Sequence, residues 1–180
     1  MKKRTCCFTG HRELPDEDFL YFANKLLDTI IMLANNGVTH FKNGGALGFD
    51  QLAAQAVLHA RESNPSITLE IILPHKNQAA RWDEVRKEFY NEILTNADKV
   101  VYVSDHYYDG CMRKRNLCLV EGSDYCIAYF KHMRSGTSQT VRLAKERGLI
   151  VINLADEKCL DFLIRHIAEN KKVTKKLQNA

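Results

Sequence analysis

Three glycines stand close together where an apolar run, residues 38–42, gives way to a helical pattern. After Asn43 the loop has the residues Gly44, Gly45, Ala46, Leu47, Gly48, Phe49 and Asp50. Main-chain amides in such a turn lie near the positive end of the helix dipole and favour a phosphate. The spacing matches neither the dinucleotide fingerprint G-x-G-x-x-G nor the P-loop, because no Lys-Ser or Lys-Thr pair follows. The loop therefore predicts a phosphate-bearing ligand, but not one held in an NAD-type or ATP-type loop.

Asp50, at the end of this glycine loop, has two interpretations. Its carboxylate can accept hydrogen bonds from a ribose hydroxyl or from an arginine of the same site. It can equally be a first-turn carboxylate that stabilises the helix dipole. Of the residues in the predicted site, Asp50 is the one that we expect to contact a ribose.

A second polar loop follows the first apolar run, and it has the residues Thr9, Gly10, His11 and Arg12. Gly10 lets main chain approach a ligand closely, and the side chains of His11 and Arg12 can donate hydrogen bonds to phosphate or carboxylate. In the alternative, Gly10 only turns the chain and Arg12 pairs with Glu13 or Asp16. This tetrapeptide carries little weight without the glycine loop.

A third candidate segment is basic and has the residues Arg113, Lys114, Arg115 and Asn116. It stands at the predicted start of a helix, where cations oppose the helix dipole. Such a cluster favours a bound anion that offsets the repulsion. A solvated basic turn paired with Asp105 or Asp109 is the alternative.

A fourth loop repeats the pattern of glycine and hydroxyl residues at a helix start, with candidates at Gly136, Thr137 and Thr140. Ser135 or Thr137 as a simple N-cap is the alternative for this loop. His75, which follows another apolar run, is a marginal candidate. Four chain segments with phosphate-binding chemistry favour one shared pocket over four coincidences.

The elements that must bring these loops together are short apolar runs alternating with amphipathic segments. Strands are predicted at 4–9, 38–42, 68–73, 99–103, 125–130 and 150–154. Helices are predicted at 16–35, 49–62, 81–95, 115–121, 136–147 and 156–169. This alternation predicts an α/β fold of Rossmann-like, doubly wound type, a mainly parallel sheet of about six strands with helices on both faces. Its ligands are expected at the carboxyl ends of the strands.

Length and composition fit one domain. The chain has 180 residues, of which 45% are hydrophobic, and a net charge of +4. We place the domain at residues 1–170 and a basic, frayed tail at 171–180. Six cysteines without C-x-x-C spacing, and no signal peptide, predict a reduced cytoplasmic setting. Cys6, Cys7 and Cys126 are expected to be buried small hydrophobes. No apolar stretch reaches membrane-spanning length, so no membrane partner is expected.

The four motifs together resemble the YpsA-like branch of the SLOG superfamily, over residues 4–154. The glycine loop and the arginine-asparagine motif are also similar to those of the DNA-processing protein A (Smf) group, which binds single-stranded DNA. The resemblance implies a Rossmann-like fold that recognises nucleotides or nucleic acid. The related lonely-guy phosphoribohydrolases carry P-G-G-x-G-T-x-x-E, whereas this chain has no glutamate at the corresponding place after Gly136 and Thr137.

Three functions follow as hypotheses. The first is a binding module, acting as a sensor, for a nucleotide-derived small ligand, with no separate cofactor identified. The second is a hydrolase for a nucleotide or nucleotide sugar, with Asp50, His11 or an acidic residue of 105–109 as general acid or base. The third is a binder of single-stranded nucleic acid through Arg12, Arg113, Arg115 and the basic tail, a role that a net charge of +4 disfavours. The sequence leaves homo-oligomerisation open.

Overall fold

The alternation of apolar and amphipathic segments becomes six strands and six helices in a computed structural model that describes residues 4–16, 18–131 and 135–178, with side chains up to residue 172. The strands are β1 (Arg4–Gly10), β2 (Val38–Asn43), β3 (Thr68–Leu73), β4 (Lys99–Tyr102), β5 (Tyr125–Tyr129) and β6 (Ile150–Asn153). The helices are α1 (Phe19–Ala34), α2 (Phe49–Ser63), α3 (Glu84–Asn96), α4 (Cys111–Val120), α5 (Gly136–Glu146) and α6 (Cys159–Gln178).

All neighbouring strands run parallel, in the order β4-β3-β2-β1-β5-β6. The chain moves outward from β1 to β4, then crosses back to place β5 on the other side of β1. The strand order therefore reverses between β1 and β5, where Gly10 stands opposite Tyr129. This is the topological switch point at which doubly wound sheets open a crevice for ligands. The predicted Rossmann-like fold is confirmed.

Side chains of β1 alternate between two cores because successive strand residues face opposite sides of the sheet. Cys6 and Phe8 belong to the larger core, which α1, α2, α3 and α6 cover. Cys7 belongs to the smaller core, which α4 and α5 cover. Cys6, Cys7 and Cys126 are fully buried, as expected from the apolar runs that contain them. Helices lie on both faces, as predicted.

Several helix starts differ from the predicted ones for local reasons. α1 begins at Phe19, not at residue 16, after Asp18 adopts a left-handed φ of 61°. α3 begins at Glu84 because the Asp83 side chain accepts a hydrogen bond from the Arg86 amide. α4 begins at Cys111, four residues before the predicted start, directly after the left-handed Gly110. The basic segment therefore lies inside the first turns of α4.

The last helix extends further than the pattern indicated. α6 continues to Gln178, beyond residue 170, where the sequence places the end of the domain. Gly37 and Gly148, at the ends of α1 and α5, have the positive φ values expected of C-terminal caps. Among the helices of the described ranges, none has the length and apolar character needed to cross a membrane.

Candidate functional site

Three of the predicted loops meet at the carboxyl end of β1. The amide of His11 donates to the main-chain oxygen of Tyr129 at 3.0 Å, and the amide of Phe49 donates to the oxygen of His11 at 3.1 Å. The hydroxyl of Thr137 donates to the main-chain oxygen of Gly10 at 3.0 Å. The ends of β1 and β5, the start of α2 and the first turn of α5 are thus joined around the switch point.

Close packing between the first loop and the glycine loop explains why residues 10 and 48 are glycines. A Cβ at Gly10 would collide with the ring of Phe49, and a Cβ at Gly48 would collide with the main chain of Arg12. Gly48 also has a φ of +80°, which side chains rarely adopt. These glycines therefore let the first loop and the glycine loop pack directly on each other.

Two main-chain amides of the glycine loop, which the sequence predicts to face a phosphate, donate instead to side chains of the loop itself. The amide of Gly45 donates to Asn43 Oδ1 at 2.7 Å, and the amide of Ala46 donates to Asp50 Oδ2 at 3.3 Å. Asn43 Nδ2 donates in turn to the Asp50 main-chain oxygen at 2.7 Å. The loop is held by its own polar side chains in a fixed shape.

Asp50 and Arg115 form the buried frame of this loop, with 5% and 8% of their surface exposed. Arg115 Nη1 donates to the Gly44 oxygen at 2.5 Å and lies 3.9 Å from Asp50 Oδ2. Burial raises the pKa of Asp50 to about 6, and the nearby Arg115 charge limits that rise. Burial likewise lowers the pKa of Arg115, an effect that Asp50 opposes. Both groups face the protein interior, so Asp50 lies where it supports the loop.

The first turn of α5 is closed by a capping box, which confirms Ser135 as the N-cap. Ser135 Oγ accepts from the Ser138 amide at 3.1 Å, and Ser138 Oγ accepts from the Ser135 amide at 3.0 Å. The hydroxyl of Thr140 bonds the Gly136 oxygen at 3.1 Å within the helix. The amides of Gly136 and Thr137 remain at the positive end of the helix.

The predicted site residues divide into a buried frame and an accessible rim. The frame residues are Thr9, Gly44, Gly45, Asp50, Arg115 and Thr140. The accessible or half-buried residues are Gly10, His11, Arg12, Ala46, Gly48, Arg113, Asn116, Gly136 and Thr137. All of them lie on the carboxyl-terminal side of the sheet, and the rim is the part of the set open to a ligand.

A cavity of about 390 Å³, which we call the switch-point cavity, opens beside the end of β1. Its walls include His11, Arg12, Glu13, Leu14, Tyr129 and Lys131. Arg12 and Lys131 are exposed, and neither forms an ion pair with a described residue. The Lys131 ammonium lies 5.8 Å from the centre of the Tyr129 ring, within reach of a cation–π interaction. The cavity therefore has two cations facing solvent and one carboxylate.

A second cavity of about 560 Å³, the α4–α5 groove, lies between the first turns of α4 and the length of α5, as far as Glu146. Arg113 and Asn116 line one side, and Gly136 and Gln139 line the other. A further open pocket of about 670 Å³ flanks α5 and shares Gly136 and Gln139 with the groove. Accessible surface thus continues along α5 from its first turn to its last.

The acidic residues that the sequence offers as partners for the basic motifs form no ion pair with them in the described structure, although Glu13 and Asp109 lie in the same cavities as Arg12 and Arg113. Asp105 pairs with Lys76 at 2.6 Å, not with the basic segment of α4. Within the described ranges Arg113 has no ion pair, and Arg12 pairs with neither Glu13 nor Asp16. The exposed cations are therefore available to an external anion.

His75, the marginal candidate, is buried at the end of β3. Its ring packs edge-on against Tyr107, with 5.6 Å between ring centres. Its Nδ1 finds no hydrogen-bond partner among the described residues. It lies outside the walls of the two named cavities.

The sequence does not single out Asn43, Lys131 and Gln139 as site residues, although they lie beside or within the predicted loops. Asn43 immediately precedes the glycines, and an asparagine before a turn often bonds an amide two residues on, so its position was a usable signal. Lys131 follows β5 as Arg12 follows β1, and the predicted strand ends carry the same signal. Gln139 carries no pattern of its own, because only the packing of α5 against α4 places it in the groove.

Comparison with known proteins supports the family assignment. The family model described as the YspA SLOG family matches residues 7–147. A UPF0398 protein of Halalkalibacterium halodurans is 29% identical over 130 residues, which cover 71% of this chain and 69% of that protein.

Solved structures show the same fold at low sequence identity. DNA processing protein A (DprA) of Streptococcus pneumoniae superposes with a TM-score of 0.64 and 18% identity, over 91% of this chain and 57% of that chain. DNA processing protein A of Helicobacter pylori, whose single-stranded DNA binding mode has been described, gives 0.62 and 17%, over 96% and 80%. The family match covers most of the chain, and the chain therefore belongs to the YspA SLOG family.

Proposed function

We propose that this chain binds a phosphate-bearing, nucleotide-derived small ligand at the carboxyl edge of its sheet, as a sensor or regulatory module. The observation that carries the proposal is the pair of exposed cations, Arg12 and Lys131, on the walls of the switch-point cavity. Two cations without acidic partners in the described structure, beside an open cavity, favour a bound anion.

The position of the cavity supports the same proposal. It lies where the strand order reverses, which is where open α/β sheets hold their ligands. The first turn of α5 lies beside it, since Thr137 bonds Gly10, and the amides of that turn favour negative charge. The buried groups Asp50 and Arg115 support the loops that form this edge, which fits binding better than proton transfer to a substrate.

Isothermal titration calorimetry with adenosine, AMP and ADP tests the proposal. We expect AMP and ADP to bind and adenosine to bind at least about tenfold more weakly, because a charge-assisted hydrogen bond contributes roughly 1.5–3 kcal/mol. Arg12→Ala is expected to weaken AMP binding by about tenfold or more for the same reason. Arg147→Ala is the matched control, since Arg147 caps the far end of α5. Absence of nucleotide binding at millimolar concentration would contradict the proposal.

Single-stranded nucleic acid is the second candidate ligand. The fold is that of DNA processing protein A, and the H. pylori protein binds single-stranded DNA. Arg12, Arg113, Lys114 and Lys131 are all exposed on the same side of the sheet. If they bind the strand, the affinity for a fluorescent oligothymidylate must fall steeply with salt as counterions are released. Binding that changes little with salt, or none at low salt, would remove this candidate.

A further inference from the structure

We propose that the α4–α5 groove binds the nucleobase of the ligand, through a donor that Asn116 presents and beside a backbone left open at Gly136. This inference rests on the proposed function, because it assigns a second part of the same ligand to a second cavity. It adds a chemical requirement: the ligand must carry a base as well as a phosphate.

The groove has the size and composition of a small-molecule site. Its volume of about 560 Å³ falls within the range of known ligand pockets, roughly 300–1,000 Å³. Tyr107, Met112 and Leu143 supply apolar surface, and Asn116 and Gln139 supply amides. Two cations and two carboxylates also line the groove: Asp109, Arg113, Arg142 and Glu146. Apolar surface together with amide donors and acceptors suits a flat, hydrogen-bonding ring.

The Asn116 amide is oriented by a buried neighbour. Arg115 Nε donates to Asn116 Oδ1 at 2.8 Å. This hydrogen bond fixes the orientation of the Asn116 side-chain amide, with its oxygen toward Arg115. The Asn116 Nδ2 donors form no hydrogen bond with a described residue. Arg115 is itself fixed to the Gly44 oxygen, so the donor of Asn116 is held in place from the glycine loop. A fixed donor at a groove wall matches an acceptor on a base edge, because each base has ring nitrogens or carbonyl oxygens.

Gly136 differs from the glycines that pack the loops together. A Cβ built at Gly136 meets no described atom within 4 Å, and its φ is not positive. Neither contacts with the described residues nor backbone conformation requires glycine here, although glycine carries an entropic cost in a helix. Gly136 also lines both the groove and the open pocket beside it. Room for a ligand against the main chain accounts for the missing side chain.

The start of α5 links the groove to the end of β1. Arg113 stands at the groove without an ion pair among the described residues, whereas Arg142 pairs with Glu146 at 3.6 Å. Gly136 is the first residue of α5, and its neighbour Thr137 bonds the end of β1 beside the switch-point cavity. The proposal thus has a nucleoside monophosphate extend from the cations at that cavity, past Gly136, into the groove.

The test compares a nucleotide with the same phosphate lacking its base. Calorimetry is carried out on the full chain with AMP, GMP and ribose 5-phosphate, and the ratio of their affinities is the readout. We expect at least one nucleotide to bind about tenfold more tightly than ribose 5-phosphate, the difference that one good hydrogen bond and stacking contact supply.

Two variants alter the groove, and the affinity ratio separates their effect on the base from any effect on the phosphate. Asn116→Asp keeps an acceptor for Arg115 and removes the donor, and Gly136→Val fills the open space. Each is expected to reduce the nucleotide to ribose 5-phosphate ratio to about threefold or less. Arg12→Ala is expected to weaken all three ligands and leave the ratio unchanged. Thermal melting of each variant establishes that it is folded.

The failures of the two proposals are distinguishable. If ribose 5-phosphate binds as tightly as AMP and GMP, and Arg12→Ala weakens all three, the phosphate site stands and the groove proposal is overturned. If the variants of Asn116 and Gly136 leave the affinity ratio as it is in the unmodified chain, the groove proposal is overturned as well. If none of the three ligands binds, both proposals fail.

Discussion

The Arg115 guanidinium donates a hydrogen bond of 2.5 Å to the main-chain oxygen of Gly44. This contact joins α4, on the smaller core, to the loop between β2 and α2, on the larger core. Arg115, a cation of the basic segment, therefore lies buried beneath the glycine loop, and its charge supports the loop and does not face solvent. The same guanidinium orients Asn116, so the frame and the rim of the site share one residue.

Arg115→Ala is expected to destabilise the protein by about 2–4 kcal/mol, because it leaves the Gly44 oxygen and the buried Asp50 carboxylate without their cationic partner. Urea unfolding followed by circular dichroism measures the change. Arg113→Ala removes a cation two residues away that is exposed and forms no described ion pair, so we expect a change below about 0.5 kcal/mol. Equal losses in the two variants would refute the framework role of Arg115.

Gly10→Ala and Gly136→Ala form a second matched pair. A methyl group at Gly10 meets the buried Phe49 ring and should cost about 1–3 kcal/mol, whereas at Gly136 it meets open space and should leave stability unchanged or slightly higher. Differential scanning calorimetry of both variants checks the contrast. A Gly136→Ala variant that melts well below the unmodified protein would show that this glycine has a packing role.

Asp50 predicts a measurable pH dependence of stability. Its pKa is raised by burial from 3.8 to about 6, so the native state binds a proton more tightly than the unfolded state. Its contribution to stability is therefore fully present below about pH 3.8 and is lost as pH rises through 6.

Comparison with Asp50→Asn isolates that contribution. The free energy of unfolding of the unmodified protein minus that of Asp50→Asn should fall by roughly 2.5 kcal/mol between pH 4 and pH 8. Unfolding in urea at several pH values supplies the difference. A difference that rises with pH would mean that the ion pair with Arg115 outweighs the cost of burial.

The sequence alone predicts the strands, the doubly wound sheet and the meeting of the four loops, because hydrophobic periodicity and the position of glycines after strands are local signals. It does not separate the frame from the rim. Asp50 and Arg115 are residue types suited to ligand contact. Only the packing of α4 under the glycine loop buries them next to each other, where they support the loop. The sequence gives no way to tell the role of Gly10 from that of Gly136. In the structure, Phe49 fills the space beside Gly10, whereas no described atom fills the space beside Gly136.

The most direct measurement of the central claim is a titration of ¹⁵N-labelled protein with AMP, followed by amide chemical shifts. Binding at the switch point predicts saturable shifts at Arg12, Lys131 and Thr137, with those of Arg147 and Asp98 unchanged at the opposite edge of the sheet. Shifts confined to the opposite edge, or no shifts at millimolar AMP, would contradict a nucleotide site at the end of β1.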